Sequence, residues 1–169
     1  MKAFAAVVVA CALFGCAARA DVSSGVTLSP LLAARDWLNG RPTAADVRGK
    51  VVLLDFYTFE CYNCKNVEPN LRALYKQLPH SELVILSVHS PETSFEHERH
   101  ALIESIGEQG VVWPVAIDND FAIWNAYGVS AWPTQMIFDR RGVLRKTVVG
   151  DSQDAVVDDT IKRLVAEKS

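Results

Sequence analysis

Two cysteines stand three residues apart in the stretch DFYTFECYNCKNV, at Cys61 and Cys64. Thiols at that spacing can hold a metal, staple a turn, or interconvert between dithiol and disulfide. The chain has four cysteines, and Cys11 and Cys16 fall in an apolar leader, which leaves Cys61 and Cys64 for the folded body. A structural zinc site takes four ligands, commonly two such pairs. With no second pair, zinc would have to recruit two of His80, His89, His97 and His100, of which His97 and His100 could share a helix face. As a pure staple the pair contributes little, because so short a loop removes little unfolded-chain entropy. A redox pair is the reading that remains, and in an oxidising compartment it is chemically relevant.

Cys61 follows a buried-looking run, VVLLDFYTF, and precedes an amphipathic one, NVEPNLRALYKQL. The first suits a strand covered on both faces. The second puts Val67, Leu71, Leu74, Tyr75 and Leu78 on one helical face, with Pro69 inside it. Cys61 is therefore expected at a helix N-terminus, where free N–H groups and the helix dipole stabilise a thiolate. A thiol there can fall from about 8.5 into the ~3.5–7.5 range, which makes Cys61 the nucleophile. Cys64, one turn further in, is expected to be less exposed and to attack the mixed disulfide. Asp55 lies in the middle of the buried strand, where a carboxylate is costly without a partner. It reads as a hydrogen-bonded structural acid or as a proton acceptor for Cys64, with burial raising its pKa towards neutrality. In SAWPT, Pro133 opens a strand and is placed for a cis peptide, and the backbone of Trp132 is left free to pair with an extended substrate strand.

The elements that must position these groups follow from the remaining pattern. LLAARDWLNGRP predicts a short helix or strand ending at Asn39-Gly40, and TAADVRGK one turn of helix capped by Thr43 and closed by Gly49. ELVILSVH is a second buried strand, and TSFEHERHALIESIGEQG an amphipathic helix capped by Thr93 or Ser94 and ended at Gly110. VVWPVAID is short and extended, and NDFAIWNAYGV a brief helix stopped by Gly128. TQMIFDRRGVLRKTVVG reads as a hairpin turning at Arg140-Arg141-Gly142, and SQDAVVDDTIKRLVAEK as a closing helix starting near Ser152 or Asp154. The order implies a central mixed sheet covered by helices, the early strands parallel and the hairpin antiparallel.

At 169 residues, 50% hydrophobic and 22% charged, the chain is expected to fold as one domain rather than remain disordered. The opening MKAFAAVVVACALFGCAARA has the three-part layout of a secretory signal over residues 1–20. Two processing sites compete: Ala18-Arg19-Ala20, with the mature chain starting at Asp21, or LFGC, a lipobox-like signal over 1–15 that makes Cys16 the lipidated first residue and the domain's membrane tether. Residues 21–34 read as a flexible lead-in and 35–169 as the folded domain. Cleavage after Ala20 removes Lys2 and Arg19 and leaves 15 basic against 20 acidic residues, a formal net charge of −5. An acidic body without a basic run argues against nucleic acid as a partner.

Asp55, Cys61-x-x-Cys64, Lys65, Pro69 and Trp132-Pro133-Thr134 together resemble the thioredoxin fold family. GKVVLLDFYTFECYNC, VHSPETSFE and VAIDNDFAIWNAYG resemble more narrowly the exported TlpA-like reductases and the periplasmic thioredoxin-like domain of DipZ-type proteins, over roughly residues 35–150. The resemblance implies a thioredoxin fold with a TlpA-like insertion before the cis-Pro strand, and a redox-active disulfide between Cys61 and Cys64. It also implies substrate binding at Trp132, Pro133 and Thr134, and protein-disulfide exchange in the periplasm without a cofactor or metal. Protein disulfides would be the substrates and a membrane thiol reductase of the DsbD sort the electron source. Two departures bear on redox poise: Glu60 stands before Cys61 where thioredoxins carry Trp, and Tyr62-Asn63 stands between the cysteines. Two other functions stay in view. A thiol peroxidase of peroxiredoxin-like type would use Thr58, three residues before Cys61. A non-catalytic metal-binding or chaperone module would use Cys61 and Cys64, with Met136 the only methionine near Pro133. The charged run 97–100 reads as a solvated face, Trp113 and Trp124 as core, and Trp132 as the surface aromatic.

Overall fold

A computed structural model of the chain describes residues 25–167. Both expected processing sites, after Ala20 and at Cys16, lie outside the described residues.

The sheet is built outward from β2 (Val51–Tyr57), whose seven residues are all buried. β3 (Leu83–His89) pairs with it in parallel, Val51 opposite Leu83 through Tyr57 opposite His89. β4 (Val115–Ile117) continues the parallel set, and the two-residue β1 (Trp37–Leu38) closes that edge antiparallel to β4. On the other side, β5 (Thr134–Phe138) runs antiparallel to β2, and β6 (Leu144–Val149) completes the expected hairpin. The order is β1-β4-β3-β2-β5-β6.

Strand alternation divides the core in two. Val51, Leu53 and Tyr57 of β2 pack in one cluster with Leu71 and Leu74 of α3 (Tyr62–Gln77), Leu102 and Ile106 of α4 (Arg99–Glu108), and Ile161 and Leu164 of α6 (Asp154–Ala166). Val52, Leu54 and Phe56 pack in the other with Leu31 of α1 (Ser29–Leu32), Val47 of α2 (Ala44–Val47), and Trp124 and Tyr127 of α5 (Ala122–Tyr127). Trp113 and Trp124 are core residues, as expected.

Three local expectations change. The flexible lead-in over 21–34 gives way at α1, because Leu28 and Leu31 bury their side chains in the second cluster. The single helix over 93–110 is broken: a 3₁₀ turn at Phe95–His97 precedes α4, and Glu98 between them is extended. Neither Thr93 nor Ser94 caps by its side chain; the carboxylate of Glu96 accepts the N–H groups of Glu92 and Thr93 instead. The C-terminal helix starts at Asp154, as expected, with Gln153 at its N-cap. The Thr43 cap of α2 is completed by Asp46, and α5 stops at Gly128 with φ of 63°. That left-handed backbone suits glycine. No helix among the described residues is long and apolar enough to cross a membrane.

Candidate active site

β2 ends at Tyr57 and α3 begins at Tyr62, so residues 58–61 form the turn that delivers the first cysteine. The Cys61 N–H donates to the Thr58 carbonyl at 3.3 Å, which closes that turn. Cys61 is the N-cap of α3, and its sulfur accepts from the Cys64 N–H at 3.2 Å. Serine, threonine and aspartate oxygens usually do this work at a helix start. Cys61 and Cys64 are joined in a disulfide with Cα atoms 5.2 Å apart. The two sulfurs differ in access, as expected: Cys61 is half-buried, whereas Cys64 is 1% exposed, packed among Tyr57, Phe59 and Leu71. A thiolate formed at Cys61 on reduction therefore meets the positive end of a 16-residue helix and is reachable from outside.

Asp55 shares the odd-numbered face of β2 with Tyr57, the face covered by α3 and Cys64. It is 2% exposed. Its Oδ2 accepts only a long bond of 3.4 Å from the Ser87 hydroxyl, whose oxygen in turn accepts the Trp113 indole N–H at 2.9 Å. Oδ1 has no partner. Burial, and then the negative charge of Glu68, push the Asp55 pKa up to about 7 against the weaker pull of Ser87. Glu68, four residues after Cys64 on α3, is itself buried and raised by burial, with Arg72 at 3.2 Å holding it back. Sequence reading placed Asp55 here and missed Glu68, because a single glutamate on an apolar helical stripe carries no signal of its own. Beside the pair, a groove of about 480 Å³ is lined by Phe59, Glu60, Lys65, Glu68, Glu104 and Glu108, so the approach to the disulfide is acidic on that side.

The third expected element arrives from β5. Phe56 pairs with Thr134, so Pro133 sits at the end of β2 where residues 58–61 turn towards α3. The Trp132–Pro133 peptide is cis, as the sequence led us to expect. The Pro133 carbonyl accepts the Gly150 N–H at 2.8 Å, and the Thr134 hydroxyl donates to the Ala131 carbonyl at 2.7 Å. Among the described residues no backbone hydrogen bond takes up the N–H or C=O of Trp132. The ring of Trp132 is a correction to the surface reading. It is half-buried, packs on Trp124 with ring centres 4.5 Å apart, and touches both core clusters.

Two further residues close the turn from behind. Thr58, considered as a peroxidase threonine, is fully buried, and its hydroxyl donates to Oε1 of Glu96. His89 Nε2 lies 3.3 Å from the same hydroxyl, and its ring stacks on Phe59 at 5.3 Å. Burial lowers the His89 pKa to about 4, so the ring is neutral at pH 7. Residues 97–100 are exposed as expected, but Glu96, immediately before them, is 1% exposed. In sequence it reads as one more acid in a charged run, and only tertiary contacts single it out.

A family model for the AhpC/TSA family matches residues 30–147, which include Asp55, both cysteines, Glu96 and Pro133. The chain belongs to the AhpC/TSA family. Within reach of this AhpC/TSA member is Protein DipZ of Mycobacterium bovis, 30% identical over 150 residues, covering 86% of this chain and 22% of DipZ. The chain thus spans about a fifth of that relative's length. Thiol-disulfide oxidoreductase YkuV of Bacillus subtilis is 26% identical over 132 residues, 78% of this chain and 88% of YkuV. Among solved structures, a thiol-disulfide isomerase from Corynebacterium glutamicum superposes with a TM-score of 0.73 at 25% identity, covering 80% of this chain and 94% of that one. A thioredoxin-like protein in its oxidised form gives the same TM-score at 26% identity, covering 80% and 91%. The fold is that of thioredoxin, as expected from the sequence.

Proposed function

We propose that the protein is an exported thiol–disulfide oxidoreductase that reduces disulfides of periplasmic proteins. The observation that carries this is the asymmetry of the pair: a reachable sulfur capping α3 and a buried one behind it, on the sheet face that holds Asp55. In the dithiol form, the Cys61 thiolate attacks one sulfur of a substrate disulfide. A mixed disulfide forms and one substrate thiolate leaves. Asp55 accepts the Cys64 proton, and the Cys64 thiolate then attacks Cys61, which forms the Cys61–Cys64 bond and expels the second substrate thiolate. Two electrons pass to the substrate. A membrane thiol reductase of the DsbD sort returns them. The unpaired backbone of Trp132, beside cis-Pro133 and Thr134, offers the substrate a strand-like partner.

The reducing direction is supported by charge. Glu60 adjoins Cys61, and the Glu96 carboxylate accepts the Glu60 N–H at 3.0 Å. Negative charge at that position opposes thiolate formation, destabilises the dithiol and lowers the potential of the pair. Residues 1–20 direct export on this reading, with either cleavage after Ala20 or lipidation of Cys16 as a membrane tether. A peroxidase has less support, since the Thr58 hydroxyl is engaged by Glu96. A thiolate–methionine metal site has less as well, since Met136 packs in the cluster opposite Cys64.

Equilibration of the pair against glutathione tests the reading. A potential below about −200 mV is expected; a value near about −120 mV, that of a strong oxidant, would reverse the direction.

A further inference from the structure

Glu96 is a buried carboxylate that accepts four hydrogen bonds from two separate segments. Oε1 takes the Thr58 hydroxyl and the Glu60 N–H at 3.0 Å. Oε2 takes the Glu92 and Thr93 N–H groups, both at 2.8 Å. Thr58 and Glu60 belong to the turn that the Thr58 carbonyl and Cys61 N–H close. One side chain from the segment between β3 and α4 therefore grips the turn immediately before the N-cap cysteine. An ionised carboxylate with four donors is strongly held, and its hydrogen bonds keep it below the usual carboxylate range in spite of burial.

We propose that Glu96 is a positioning residue for the exchange: it locks the turn that presents Cys61, and its fixed negative charge tunes the nucleophilicity of that sulfur. This deepens the oxidoreductase reading and rests on it. The physical argument has two parts. A helix N-cap works only while its backbone holds the right approach, and here two of the four residues leading into α3 are tied to Glu96. In addition, a like charge near a thiolate disfavours its formation. The other charged and titratable groups around the turn are Glu60 within it, Lys65 and Glu68 on α3, Glu104 and Glu108 on α4, His89 on β3, and Glu92 and His97 on either side of Glu96. His89 is neutral and Lys65 opposes the acids, so Glu96 is the acid hydrogen-bonded to the turn itself.

The test is the alkylation rate of Cys61 against pH in reduced protein carrying Cys64→Ser, with and without Glu96→Gln. Glutamine keeps one accepting oxygen and the shape but removes the charge. The pH midpoint of Cys61 reactivity is expected to fall by about 0.5–1 pH unit in Glu96→Gln. An unchanged midpoint in a protein with native circular dichroism would overturn the proposal. If Glu96→Gln fails to fold, Thr58→Val and Thr58→Ser replace it. Valine should slow Cys61 alkylation at pH 7 several-fold and serine should restore it; equal rates in both and in wild type would overturn the proposal. These titrations need no substrate, so they report on Glu96 alone. Insulin reduction by wild type against Cys61→Ser reports separately on whether the protein is an oxidoreductase.

Discussion

Asp55→Asn isolates the electrostatic cost of keeping a carboxylate beneath the redox pair. The native pKa stands near 7 against an ordinary 3.8, chiefly because of burial and then because of Glu68. A group raised on folding binds its proton more tightly in the native state. Its contribution to stability is thus complete below about pH 4 and is lost as pH rises through about 7. At about 1.36 kcal/mol per pH unit, the shift from 3.8 to about 7 corresponds to a loss on the order of 4 kcal/mol by pH 8. Asparagine has nearly the same shape and does not titrate. Any cost of burying its amide is independent of pH and cancels when the pH dependence is compared. The assay is urea unfolding of the oxidised proteins, in which neither cysteine titrates, at steps from about pH 4 to about pH 8. His89 and Glu68 titrate in both proteins. The stability of Asp55→Asn relative to wild type should climb by about 2–4 kcal/mol across that range, mostly between about pH 4 and pH 7 and levelling off above it. Parallel curves, or a relative loss at high pH, would refute the account of Asp55 as a buried acid poised near neutrality. The same variant should slow resolution of the mixed disulfide by about 10²-fold at pH 7 if Asp55 takes the Cys64 proton.

Cys61→Ser should abolish exchange, while Cys64→Ser should accumulate mixed disulfides visible on non-reducing gels; full turnover by Cys64→Ser would reverse the roles assigned to the two sulfurs. Leu31→Ala removes a fully buried side chain from the second core cluster and should cost about 2–4 kcal/mol by denaturant melt, a value near zero meaning that α1 is not docked. Trp132→Ala loses the stack on Trp124 but comes from a half-buried site, so about 1–3 kcal/mol is expected, together with slower exchange. Gly128→Ala forces a side chain into left-handed backbone and should lower stability by about 1 kcal/mol, read as a fall in Tm.

Much of this molecule is written in local pattern. A short run rich in β-branched and aromatic residues suits an inner strand, and a stripe at Val67, Leu71 and Leu74 suits a helix lying on it, so the β2–α3 junction and the place of Cys61 at its corner follow from local pattern. The hairpin of β5 and β6 and the stop at Gly128 follow from turn chemistry in the same way. Asp55 was legible because a lone carboxylate in such a run stands out. Other features depend on residues far apart in the chain meeting across the fold. Trp132 leaves the surface because Trp124 lies ready to receive it, Leu28 and Leu31 order what reads as a loose lead-in, and the expected helix over 93–110 breaks so that Glu96 can reach Thr58 and Glu60. Sequence alone singled out the cysteine pair and Asp55 as candidates and the elements that hold them, since hydrophobic spacing is a short-range property. Which polar groups surround them was decided only by the tertiary structure, because a buried carboxylate is stable where donors from two segments converge, and that convergence has no signature along the chain.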